Sequence, residues 1–152
     1  MENAAIQEIG DLYQTILQRW NEQDAAGMAA RFTEAGGMVG FDGSQINSRV
    51  DIAGHLAPIF ADHPTAVYIA KVREIRLIDE RVGLLRAVAG MVPRNGNKIN
   101  PDLNTIHSLV AVCQDDDTWQ AELFQSTPAA WHGRSADREA LSQELAETLS
   151  KK

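Results

Sequence analysis

The 152-residue chain reads as a single α+β domain, and three observations point to that class. Apolar residues recur at helical spacing up to Phe60. From Val67 onward they alternate with a period of two. Helical spacing returns only after Arg134, so apart from one short strand before the third helix, helices and strands are segregated along the chain rather than interleaved as a parallel sheet would need.

Between Ala4 and Gln23, residues Ile6, Ile9, Tyr13, Ile16, Leu17 and Trp20 form one stripe of a helix of about five turns. Gly10 and Asp11 fall off that stripe and are placed in solvent. Asp24 is suited to cap a short second helix, Ala25 to Phe32, with Met28 and Phe32 facing inward. Gly36, Gly37, Gly40 and Gly43 bracket a short strand from Met38 to Asp42, and Asp42-Gly43 marks a turn. Ser48 followed by Asp51 resembles a capping box with Asp in place of Glu. The helix it opens carries Ile52, Leu56, Ile59 and Phe60 on one face. Pro58 would clash with the Gly54 carbonyl, which predicts a kink or an early end, and His63-Pro64 closes the element.

Val67 to Ile78 mixes β-branched residues with Lys71, Arg73, Glu74 and Arg76, as a half-exposed strand would. Val82 to Val92 is apolar except for Arg86 and reads as a central strand. A loop from Pro93 to Pro101 leads into Asn104–Arg134, two strands joined by Asp115, Asp116 and Asp117 and followed by a Pro-marked exit. In the first of these strands Thr105, His107, Leu109, Ala111 and Cys113 share one face, and Ile106, Ser108, Val110 and Val112 the other. Both faces are largely apolar, so both should be covered, whereas an antiparallel sheet normally wets one side. The tail is polar, with only Leu141, Leu145 and Leu149 spaced for a thin helical stripe.

A net charge of -7 argues against nucleic acid or an anionic membrane surface as partner. No apolar run approaches the length of a membrane helix, and residues 1–11 lack the basic and apolar regions of a secretory signal, so the expected setting is the cytoplasm. Cys113 is the only cysteine and forms no internal disulfide; on a strand read as buried, without a cationic neighbour in sequence, it is not marked as a nucleophile. The four histidines show no metal-ligand spacing, and neither a GxSxG elbow nor a GxGxxG loop occurs. No metal and no cofactor is expected.

Three segments carry a resemblance to a known group: Trp20-Asn21 with Asp24, Asn100-Pro101 through Asn104, and Trp119 with the run from Phe124 to Arg134. Together with the order of elements, they resemble the nuclear transport factor 2-like fold shared with the SnoaL-like polyketide cyclases, and within it the SgcJ/EcaC family. The likeness covers roughly residues 5 to 135 and is most specific at its end. The chain departs from the family pattern at Ser126, usually Asn, at Trp131, usually Phe, and at the three aspartates, usually an Asp-Gly turn. The resemblance implies a curved antiparallel sheet wrapped as a cone around the N-terminal helices. It also implies an apolar pocket at the cone's mouth and a homodimer through the convex face, to which Ile106, Val110 and Val112 would contribute. The fold hosts isomerases, dehydratases, cyclases and plain binding modules, and does not choose among them.

Within that frame the candidate chemistry is sparse. His107 could serve as acid or base in the pocket, or could satisfy a neighbouring strand or line the dimer face. Gln125 shares a strand face with Trp119, Ala121 and Leu123 and could orient a ligand oxygen, or merely serve the backbone. Asp42 is the best-placed carboxylate for a base and Tyr13 a candidate donor, though Asp before Gly is also ordinary turn chemistry. Arg49 could counter an anionic ligand, and His55 could reach the pocket mouth. His63 and His132 read as structural. Trp20, Phe32, Phe41, Met91 and Trp131 are the expected walls. The function expected is binding of a small hydrophobic molecule, with acid–base turnover of a carbonyl-bearing metabolite as its catalytic form; a non-catalytic binding or association module is the alternative.

Overall fold

The structure, a computed structural model, describes residues 2–151. The elements are α1 (Glu2–Asn21), α2 (Ala25–Ala29), β1 (Phe32–Val39), β2 (Gln45–Asn47), α3 (Arg49–Asp62), β3 (Val67–Asp79), β4 (Val82–Val92), β5 (Thr105–Cys113), β6 (Trp119–Pro128) and α4 (Ser135–Ser150). One six-stranded curved sheet has the order β2-β1-β6-β5-β4-β3. Every pair is antiparallel except β1 with β6. The fold is the α+β one expected from the segregated periodicities.

The helices α1 and α3 lie in the concave side of this sheet. Ile9, Tyr13 and Ile16 of α1, with Ile52 and Leu56 of α3, meet Leu85, Ala87, Leu109, Ala111 and Phe124 of the strands in one buried core. Strand register explains which residues reach it. Leu85 pairs with Leu109 and Ala87 with His107, so odd-numbered residues of β4 and β5 face the helices. Register shifts in β3 and between β5 and β6 bend the strands around the core.

Several expectations are corrected. Gly10 faces the sheet, because a side chain there would start 3.3 Å from the Ile75 methyl. The second helix stops at Ala29, and Phe32 opens β1 instead of closing a helix. β1 continues through Gly36 and Gly37, which the sequence reading took as punctuation. A β-carbon on Gly36 would lie 2.7 Å from the Ala121 carbonyl oxygen, so glycine there permits the irregular pairing with β6. The edge strand β2 was not anticipated; the Asp42-Gly43 turn returns the chain to pair with β1. Helix α3 runs four residues past Pro58 to Asp62. Gly54, whose carbonyl loses its donor, is exposed, so water can take that place and the helix need not end.

The outer face of the sheet is also covered, as the doubly apolar β5 required, but in part by the chain's own tail. Leu141 and Leu145 of α4 pack with Val88, Ile99, Ile106 and Trp131. Glu144 bridges Arg73 and Lys71 of β3, Arg138 meets Asp102, and Asn104 donates to the Ser142 hydroxyl at 3.0 Å. Gly90 lies beneath the helix, its missing β-carbon leaving room for the Leu145 methyl. Ile106, expected to meet a second subunit, is therefore packed in the cluster beneath α4; Val110 and Val112 fall outside that cluster and remain half-buried. Among the described residues no helix is long and apolar enough to cross a membrane.

Candidate functional site

The end of α1 is fastened to β3 by the dipeptide singled out in the sequence. The Trp20 indole N–H donates to the Ala66 carbonyl at 2.9 Å. The Asn21 side chain accepts from the Tyr68 amide at 2.7 Å and donates to the Tyr68 carbonyl at 3.3 Å. These bonds hold the Tyr68 ring on the inner face, tilted against Trp20 at 5.4 Å and edge-on to His107 at 5.2 Å.

Here a cavity of about 210 Å³ opens between the sheet, α1, α2 and the β1–β2 turn, with Trp20, Phe41, Tyr68, Met91, Phe124 and Ser126 among its lining residues. Its surface is mostly carbon. Thr105, Ser126 and Tyr68 supply the side-chain hydroxyls, and the lining includes no ionisable carboxylate or cation. Burial pushes the Tyr68 phenol up, with the Ser126 hydroxyl partly opposing that shift.

Behind this lining sits a fully buried pair. The Tyr13 hydroxyl and His107 Nδ1 are 2.7 Å apart, and neither residue is exposed. Phe124 closes on the imidazole at 4.8 Å and Tyr13 stands edge-on to it at 5.7 Å. Burial drives the His107 pKa down to about 3 and the Tyr13 phenol far above its ordinary value, so both are neutral at physiological pH. His107 Nε2 has no partner among the described residues. The arrangement that orphans the fewest atoms has the Tyr13 O–H donating to Nδ1, which puts the imidazole proton on Nε2. His107 is then a neutral donor lacking an acceptor, not a base.

The other expected site residues scatter. Trp20, Phe41 and Met91 line the cavity as anticipated. Phe32 is wholly buried in the core and does not line it. Arg49 is a clamp: its Nε donates to the Phe32 carbonyl at 2.9 Å and a terminal nitrogen lies 3.4 Å from Gln120 Oε1, tying α3 to the sheet. Asp42 is exposed in its turn, accepting from the Ser44 amide at 2.9 Å; that bond lowers its pKa and makes it a poor base. His55 is exposed on α3.

Gln125 is corrected by a bulge. Val110 pairs with Leu123 but Ala111 pairs with Ala121, so Glu122 is the extra residue and the alternation inverts after it. Phe124 and Ser126 face inward, and Gln125 lies opposite Ser108 on the outer face. Trp131, expected at the mouth, packs beneath α4 instead. It sits in a left-handed turn with Gly133, at φ 50, with Arg134 stacked over its ring at 5.0 Å. The sequence reading missed Tyr68, Thr105 and Ser126 as cavity residues. Period two is present for Tyr68, whose neighbours on the same face are Ala70 and Val72. Lys71 between them and Arg73, Glu74 and Arg76 beyond them nonetheless give the stretch the pattern of a half-exposed strand.

No family model matches the chain, and no curated protein does. Solved structures do. A cystatin-like protein of unknown function from Nostoc punctiforme is 18% identical, with both chains fully covered and a TM-score of 0.78. A nuclear transport factor 2-like protein from Pseudomonas putida is 14% identical over 84% of this chain and 88% of its own, at a TM-score of 0.67. A ketosteroid isomerase-like protein from Erwinia carotovora atroseptica is 11% identical over 82% and 96%, at 0.65. The chain has the nuclear transport factor 2-like, cystatin-like fold.

Proposed function

We propose that the chain binds a small, neutral, largely apolar molecule carrying a single oxygen acceptor, in the cavity between Trp20, Phe41, Tyr68, Met91 and Phe124. The observation that carries this reading is the lining itself: hydroxyls and aromatic rings, with no group that ionises near neutral pH. An ion entering would lose hydration and meet no counter-charge, which is strongly unfavourable. A volume of about 210 Å³ lies below the usual range for drug-sized ligands, so the molecule is of one- or two-ring size.

Acid–base turnover of a carbonyl compound is the second reading, and one observation favours it. The unpartnered His107 Nε2–H sits against Tyr68 and Phe124, two residues of the lining, so a carbonyl that parts those rings would gain a donor. His107 would then act as an electrophile, and the base would have to come from the substrate or solvent, since Asp42 lies in an exposed turn. The association-module reading rests on Val110 and Val112, half-buried on the outer face, as the seam for a second copy.

The test is titration with 1-indanone, a neutral ketone, and with indane-1-carboxylate, followed at the Trp20 indole N–H resonance. The ketone should shift that resonance and the carboxylate should not. Preference for the carboxylate, or an unmoved Trp20 signal, contradicts the proposal.

A further inference from the structure

A recess outside the cone runs between α4 and the outer face of the sheet, and the cone ligand does not reach it. It measures about 500 Å³, within the range of small-molecule sites. Val88, Ile106, Leu141 and the Trp131 ring give it an apolar floor and wall. Its rim is charged, and the pairing of those charges is uneven. Glu144 is held by Arg73 and by Lys71 at 3.3 Å, and its carboxyl is pulled down to about 2 by the Arg73 hydrogen bonds. Asp137 meets Arg134 at 3.7 Å, and Glu74 meets Arg76 at 3.6 Å. Each rim carboxylate thus has its own cation. Arg86, at the side of the groove, has neither an ion pair nor a hydrogen-bonded acceptor among the described residues, although Glu74 stands opposite it in register. An uncompensated guanidinium beside an apolar trough is a local positive excess on a chain whose net charge is -7.

We propose that this groove is a second binding site, separate from the cone cavity, for an amphiphilic monoanion. Its carboxylate is taken by the Arg86 fork and its hydrocarbon part lies along Val88, Ile106 and Leu141 against the Trp131 ring. The planar guanidinium supplies two parallel donors to a carboxylate, which a lone apolar groove could not. Burying a hydrocarbon chain on this floor supplies the remaining affinity in proportion to the apolar area covered. The class of ligand therefore differs in charge from that of the cone: anionic here, neutral there.

The two sites report separately because each carries a tryptophan. Trp20 lines the cone and Trp131 lines the groove, so one proton–nitrogen correlation spectrum of the indole N–H groups distinguishes them, with Trp131→Phe assigning the groove signal. The ligands are sodium decanoate and, as its neutral counterpart, 1-decanol. Decanoate should move the Trp131 signal and leave Trp20 still. Arg86→Gln, at an exposed position, should weaken decanoate about tenfold and leave decanol unchanged. Glu74→Gln, which removes the carboxylate opposite Arg86 in register, should tighten decanoate. Absence of binding, movement at Trp20 alone, or equal loss of both ligands in Arg86→Gln overturns the proposal. So does a concentration-dependent Trp131 shift without added decanoate, which would mean that a second copy of the chain fills the groove.

Discussion

The buried imidazole makes a quantitative prediction about stability against pH. In the folded chain His107 has its pKa at about 3, and unfolding returns it to the ordinary histidine value of about 6.5. The folded-state value is depressed, so between these two values the unfolded chain binds more protons than the folded one. Stability should therefore be intact above about pH 6.5 and be lost progressively as pH falls toward 3. Linkage with these two values gives a loss of about 2 kcal/mol between pH 7 and pH 5. Glu144 also has a strongly depressed pKa, but its contribution is full above the ordinary carboxylate value and fades as pH falls from there. The raised Tyr13 phenol does not titrate in this range, so this window isolates the histidine. Urea unfolding of the parent chain and of His107→Gln at both pH values is the assay. The parent should lose about 2 kcal/mol more than the variant over this interval. Equal losses, or a His107 ring that titrates near pH 6.5 by NMR in the folded parent, would refute the reasoning.

Three further substitutions probe the frame around the site. Tyr13→Phe strands His107 Nδ1 in the core and should cost about 1–3 kcal/mol with the fold retained; a neutral result in urea unfolding would show that the bond contributes little. Gly36→Ala places a methyl 2.7 Å from the Ala121 carbonyl and should lower stability by about 1–3 kcal/mol, and an unchanged melting temperature would mean that the β1–β6 irregularity is soft. Leu145→Ala removes a wholly buried anchor of α4 and should cost about 2–5 kcal/mol, with hydrogen exchange accelerating first in α4; uniform acceleration would show that the helix does not open by itself.

Periodicity carried the fold because strand and helix faces are set by burial over many residues. The grouping of Thr105, His107, Leu109, Ala111 and Cys113 on one face of β5 was legible from alternation. With both faces apolar, only the packing against the helices shows that this face is the inner one. Alternation failed wherever a single residue broke the count. Glu122 is an extra residue that no local signal marks, and it sends Gln125 outward while bringing Ser126 in. Gly36 and Gly37 read as breakers because the sequence does not reveal that a neighbouring backbone comes too close for a side chain. The stripe Leu141–Leu145 was visible, but its destination on the outer face depends on Gly90, Ile99 and Asp102, which lie far away in the chain. Arg49 and Asp42 were chosen for their chemistry, and tertiary contacts settled one as a clamp and the other as a turn.

The most direct test of the neutral cavity is the pH profile of ligand affinity. Because His107 stays neutral down to about pH 3 and both tyrosines are raised, nothing in or behind the lining titrates between pH 6 and pH 9. The dissociation constant for 1-indanone, read at the Trp20 indole signal, should be flat across that interval. A change of about tenfold with a midpoint near pH 6.5 would mean that an ionising histidine governs the site, and would contradict this account.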